Sequence, residues 1–170
     1  MKKVLTILAL SGLFLLGGCG SDGGAANVRG SYANGGSAGA EKGAEKGPAI
    51  VLNTQKGKTE ISVDIADTTE ERAKGLMFRK SIPQDYGMFF IFDEEKEENF
   101  WMKNTLVPLD MVFFDGNYKV VKIIHNAQPC RKDPCMVYSS DKPSKYVLEV
   151  NGGTGDKIGL KEGDGAQLNI

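Results

Sequence analysis

The sequence predicts an α+β fold: a compact domain built on a mostly antiparallel, curved, barrel-like β-sheet with two short helices. Three observations lead there. EISVDIAD (60–67) alternates Ile61, Val63 and Ile65 with polar neighbours, the period of a half-buried strand. LDMVFFDGNYKVVKIIH (109–125) places two apolar runs around Asp115-Gly116, a hairpin turn signal. Thr68 and Glu71 stand three apart before apolar residues at helical spacing, the pattern of a capping box.

Taken in order, the strand at 60–67 gives way to a helix whose first turn is acidic. Ala73, Leu76 and Met77 supply its apolar spacing, and Gly75 stands where a short helix stops. GMFFIF (87–92) is apolar on both faces, as a central strand is. DEEKEE (93–98) reads as a solvated acidic loop. After the hairpin comes NAQPCRKDPCMVYSSDKPSK, rich in Pro and Ser, which reads as an insertion. YVLEV (146–150) is a further strand. Thr154 to Leu160 is a short helical turn ending near Gly159, and GDGAQLNI is the last strand. Six or seven short strands with two brief helices make the α+β class.

The 170 residues suffice for one globular domain. Their formal net charge of −1 offers no electrostatic footprint for nucleic acid. MKKVLTILALSGLFLLGGC has two lysines, an apolar run too short for a membrane span, and small residues before a cysteine. That is the layout of a signal peptide, and Leu16-Gly17-Gly18-Cys19 resembles the lipobox of bacterial lipoproteins. Residues 1–18 are then removed and Cys19 carries lipid. Gly20 stands where an aspartate would favour inner-membrane retention, so the resemblance implies the outer membrane of the cell envelope. Losing Lys2 and Lys3 takes the net charge from −1 to −3, so acyl chains, not a basic patch, provide the attachment. Residues 19–47 are rich in Gly, Ala and Ser, cannot bury enough surface to offset ordering entropy, and read as a tether. The domain is expected over 48–170.

Several separated segments point to one family. R72-x-x-G75-L76-M77-x-R79, G87-M88-x-F90-x-F92, F100-W101-M102-K103-N104-T105, P108-L109-D110-M111, Y146-V147-L148-E149 and G159-L160-x-x-G163-D164 together resemble the DUF192 (UPF0127) family. The resemblance spans about residues 60–170. It implies a small β-rich domain and carries no established enzymatic activity. The Gly-rich tether and the CRKDPC segment stand outside that pattern.

The candidate chemistry gathers around the single tryptophan. On a strand Asp110 shares a face with Val112 and Phe114, where an unpaired carboxylate is costly. It needs Arg72, Arg79 or Lys103 as a partner, or backbone N–H groups that fix the turn at Pro108. Trp101 with Arg72, Arg79, Lys103, Asn104 and Asp110 could frame a cleft for sugar or peptide. Lys103, Asn104 and Thr105 cannot share one face of a strand, so a bend before Pro108 is expected. With Cys19 lipidated, Cys130 and Cys135 remain as a disulfide pair, worth about 2 kcal/mol for so small a loop. His125 precedes them in H-x4-C-x4-C order, which lacks a zinc site's tighter spacing and fourth ligand. No nucleophile elbow, phosphate loop or HExxH is present. The buried-strand methionines Met77, Met88, Met102 and Met111 read as core rather than copper ligands.

The expectation is therefore a non-catalytic binding or accessory module, without cofactor or metal. It would be lipid-anchored in the bacterial envelope and have a glycan, peptide or envelope-protein partner. Two alternatives stand beside it: a hydrolase of glycan or peptide using Asp110 and Glu149, and a structural subunit of an envelope complex.

Overall fold

The computed structural model describes residues 46–170. The signal segment, Cys19 and nearly all of the expected tether lie outside the described residues. No helix among the described residues is long and apolar enough to cross a membrane.

The elements run β1 (Ala49–Thr54), β2 (Gly57–Ala66), α1 (Thr69–Lys74), β3 (Tyr86–Trp101), β4 (Leu109–Phe114), β5 (Val120–Ala127), β6 (Val137–Asn151), α2 (Thr154–Ile158) and β7 (Gly165–Asn169). One seven-stranded sheet in the order β5-β4-β6-β3-β2-β1-β7 carries them all. Every pairing is antiparallel except β2 with β3, which α1 connects. The sheet curls into a half-barrel. Its two end strands approach at one point, where Lys119 bridges Gly165 and the Val120 N–H donates to the Asp164 carbonyl at 2.9 Å. The predicted α+β class, the 60–67 strand, the 109–125 hairpin and the helix ending at Gly159 all stand.

Alternation along the strands builds two cores. Ile61, Val63, Phe89, Val112, Phe114, Leu148 and Val150 pack together on one face. Their neighbours Met88, Phe90, Met111, Phe113 and Val147 pack on the other face with Leu76 and Met102. Both faces of β3, β4 and β6 are therefore covered, which explains why their sequences are continuous apolar runs.

Two expectations need correction. Residues 93–98 are not a loop: β3 continues through them to Trp101, and Lys96 pairs with Ser144 and Glu97 with Pro143. Strand length here is set by β6, which begins at Val137 inside the supposed insertion and offers a long partner. Carboxylates are tolerated because residues 93–97 are exposed, and register shifts on both sides admit Pro143. Glu98 departs from that pattern. It is buried, and burial pushes its carboxyl above the usual carboxylate range.

Candidate functional site

An open concavity lies where α1 hands the chain to β3. Thr68 caps α1: its hydroxyl accepts the Glu71 N–H at 3.2 Å, and Glu71 Oε2 accepts the Thr68 N–H at 3.1 Å. Those bonds, the Thr68 N–H first, hold the Glu71 carboxyl below its ordinary range. No residue of α1 is buried, so the helix owes its position to its ends. Arg72 anchors it, donating to the Ile91 carbonyl at 2.8 Å and lying 5.5 Å over the Phe92 ring. Gly75 ends it at φ 48°, ψ −137°.

Beyond Gly75, Leu76 is buried but Phe78 is not. Phe78 is 64% exposed and sits at φ 63°, a left-handed conformation that a bulky side chain rarely adopts. Its N–H donates at 2.8 Å to the carbonyl of Asn104, which is itself left-handed at φ 58°. The bend expected between Lys103 and Pro108 is thus present, and it clasps the exit of α1. Buried Met102 and Thr105 hold the bend from inside.

Between this exit and β2 opens a cleft of about 720 Å³, lined by Pro48, Val63, Asp64, Ile65, Glu71, Lys74, Gly75, Met77, Phe78, Arg79 and Met88. Arg79 closes one wall. It donates to Asp64 Oδ2 at 2.8 Å and to the Tyr86 hydroxyl at 2.9 Å, with its guanidinium 5.3 Å over the Tyr86 ring. The Tyr86 hydroxyl also donates to Asp64, which with Arg79 holds that carboxyl below its usual range. Burial, and then that same bond, push the Tyr86 hydroxyl up.

The residues grouped from sequence do not share one site. Arg79 lines the cleft, and Asn104 supports it from behind. Trp101, half exposed, lies on the other side of the α1 exit beside a crevice of about 30 Å³ that Glu149 also lines. Lys103 covers the Trp101 ring at 5.6 Å and pairs with Asp133 at 3.3 Å. Asp110 belongs to neither place. It is wholly buried, and no cation among the described residues meets it. Its Oδ1 accepts the N–H groups of Asn126 at 2.7 Å and Gly153 at 2.9 Å, and its Oδ2 accepts that of Gly155 at 2.7 Å. Gly153 is the N-cap of α2 at φ 85° and has no side chain to cap with, so Asp110 supplies the acceptor from β4.

Nor does the structure join Asp110 to Glu149. Asp110 faces Val150 across the β4–β6 ladder while Glu149 faces Met111, which puts the two carboxyls on opposite faces of the sheet. Glu149 is 5% exposed beneath Gly75; burial pushes its carboxyl up to about 8, against the opposing pull of the Leu76 N–H. Cys130 and Cys135 are joined in a disulfide, and His125 Nδ1 lies 3.2 Å from Asp156.

Sequence reasoning missed Phe78, Asp64, Ile65 and Tyr86. An aromatic next to an arginine just after a helix-stopping glycine was the available signal. Asp64 read only as the polar half of an alternating strand.

The fold has known relatives. The sequence profile of DUF192, described as Uncharacterized ACR, matches residues 51–168. A UPF0127 protein of Pyrococcus furiosus is 30% identical over 122 residues, 70% of this chain and 97% of its own. Another, from Pyrococcus horikoshii, is 31% identical over 121 residues, 68% and 95%. A crystal structure from Novosphingobium aromaticivorans, of a protein of unknown function, superposes with a TM-score of 0.66 at 33% identity, covering 70% of this chain and 83% of that one. One from Sinorhizobium meliloti, described as a candidate transcription regulator, also gives 0.66 at 33%, covering 73% and 95%.

Proposed function

The chain belongs to the DUF192 family, and from that premise we propose that its domain is a non-catalytic binding module whose site is the cleft between α1 and β2. One observation carries the reading: Phe78 is held out into solvent in a strained conformation that its clasp with Asn104 enforces. Strain of this kind costs of order 1–3 kcal/mol and clusters at ligand clamps. An aromatic face beside a fixed cation, Arg79, suits recognition of a ligand with apolar and polar parts. The acids that a hydrolase would use are committed elsewhere, Asp110 to three amides and Glu149 to the opposite face. A chain of net charge −1 has little to offer a polyphosphate, so nucleic acid is not the proposed partner.

The test is binding to arrayed glycans and peptides. Phe78→Ala should weaken whatever is retained at least tenfold, or about 1.4 kcal/mol. Its melting temperature should hold, because surface substitutions usually stay within about 0.5 kcal/mol. Unchanged binding would overturn the reading.

The module is further proposed to work at the bacterial envelope, held by lipid on Cys19 and a Gly-rich tether, with the outer membrane favoured by Gly20. Cys19→Ser should move the protein from the membrane to the soluble fraction. Retention in the membrane would remove the anchor from the proposal.

A further inference from the structure

One main-chain edge inside the cleft is left open by a proline. In the β1–β2 register Ala49 faces Ser62, so Pro48 faces Val63, and the Val63 N–H donates to the Pro48 carbonyl at 2.9 Å. Proline has no N–H to return, so the Val63 carbonyl gets no ladder bond from it. On the opposite edge the Ser62 N–H donates to Asp85 beside β3. Alternate residues of β2 therefore face outward, and Ile65 turns its N–H and C=O into the cleft. Neither group has a ladder partner among the described residues. The next outward amide, that of Asp67, is taken by Glu71 Oε2 at 3.3 Å. The open window thus runs from Pro48 to Glu71, and both residues line the cleft.

We propose that this window binds a short extended peptide segment of another protein, added as a strand beside β2. Its main chain would pair with Ile65 and an apolar side chain would rest on Phe78 and Met77. This rests on the reading of the cleft as a binding site and names its ligand class. Unpaired N–H and C=O groups at strand spacing complement an extended polypeptide and have no periodic counterpart on a sugar. The window is only about 7 Å long, one two-residue repeat of a strand. It is recessed between α1 and β1, so a flexible segment can enter where the sheet edge of a second folded copy cannot. Lys74 on the rim makes no ion pair among the described residues, while Arg79 is already neutralised by Asp64. An acidic residue next to the apolar one therefore completes the match.

A displayed library of random twelve-residue peptides, selected on the full chain, supplies the probe. Selected peptides should pair an apolar residue with an acidic one. N-methylation at one peptide position should weaken binding roughly five- to tenfold, the loss of a main-chain bond. The Ile65 amide resonance should shift and its hydrogen exchange should slow on binding. A flat N-methyl scan with an unmoved Ile65 amide, while Phe78→Ala still abolishes binding, rejects strand addition and spares the binding site. Binding indifferent to both changes rejects both readings, and no selected peptide at all rejects strand addition. An Ile65 amide already protected in the free chain, with Overhauser contacts to residues 20–45, overturns the proposal in favour of the chain's own segment.

Discussion

Asp110→Ala should destabilise the domain by about 3 kcal/mol, because it takes the acceptor from three amides at once, that of Gly155 buried and those of Asn126 and Gly153 part-buried. The carboxylate, itself fully buried, collects the N–H groups of Asn126, Gly153 and Gly155 at 2.7–2.9 Å. Charge-assisted bonds of this kind are each worth about 1.5–3 kcal/mol, and each unpaired buried N–H costs about 1–3 kcal/mol. Water entering the vacated space would recover part, which brings the total below a plain sum. Asp110→Asn should fall between, since one amide oxygen can still accept while the NH2 group confronts an N–H. Gly155 leaves little room for adjustment: a Cβ there would stand 3.3 Å from Asp110 Oδ2 and 3.5 Å from the His125 ring. Denaturant unfolding at neutral pH measures the effect against a total stability of about 5–15 kcal/mol. A loss below about 1 kcal/mol would mean the three amides find other partners.

The fate of Asp110 shows how far the residues alone could lead. Its apolar neighbours announced that it was buried and needed a partner. They could not choose between a cation and backbone amides, because that choice depends on α2, which lies more than forty residues later in the chain. The strand and hairpin signals were legible for the opposite reason: alternation and Asp115-Gly116 act within a few residues. The acidic run at 93–98 misled because a charged stretch can be the exposed part of a strand when a long partner such as β6 is available. The cleft was hidden in the same way. Phe78 acquires its exposure only when Asn104 grips it, and Ile65 becomes an open edge only because the pairing of β1 with β2 stops at Pro48 and Val63.

Glu149→Gln should remove a pH dependence that the native domain carries. Burial raises the folded carboxyl to about 8 from an unfolded value near 4.5, and the Leu76 N–H only partly opposes this. Between those values the unfolded chain has released a proton that the folded chain still holds. The contribution of Glu149 is thus most favourable below about pH 4.5, declines as pH rises through the window, and levels off above about 8. The full difference is about 5 kcal/mol at most. Glutamine is neutral throughout and keeps an oxygen for the Leu76 N–H. The variant should match the native domain near pH 4 and exceed it by several kcal/mol near pH 8, measured by denaturant unfolding across that range. Parallel profiles would place the Glu149 carboxyl in contact with water. Where that water would enter follows from the packing: a Cβ on Gly75 would lie 3.6 Å from Glu149 Oε2. Hydrating the carboxylate therefore means lifting the exit of α1, the same turn that leads into Met77 and Phe78. Hydrogen exchange at Leu76, corrected for its intrinsic pH dependence, should accelerate above pH 7 in the native chain and not in Glu149→Gln.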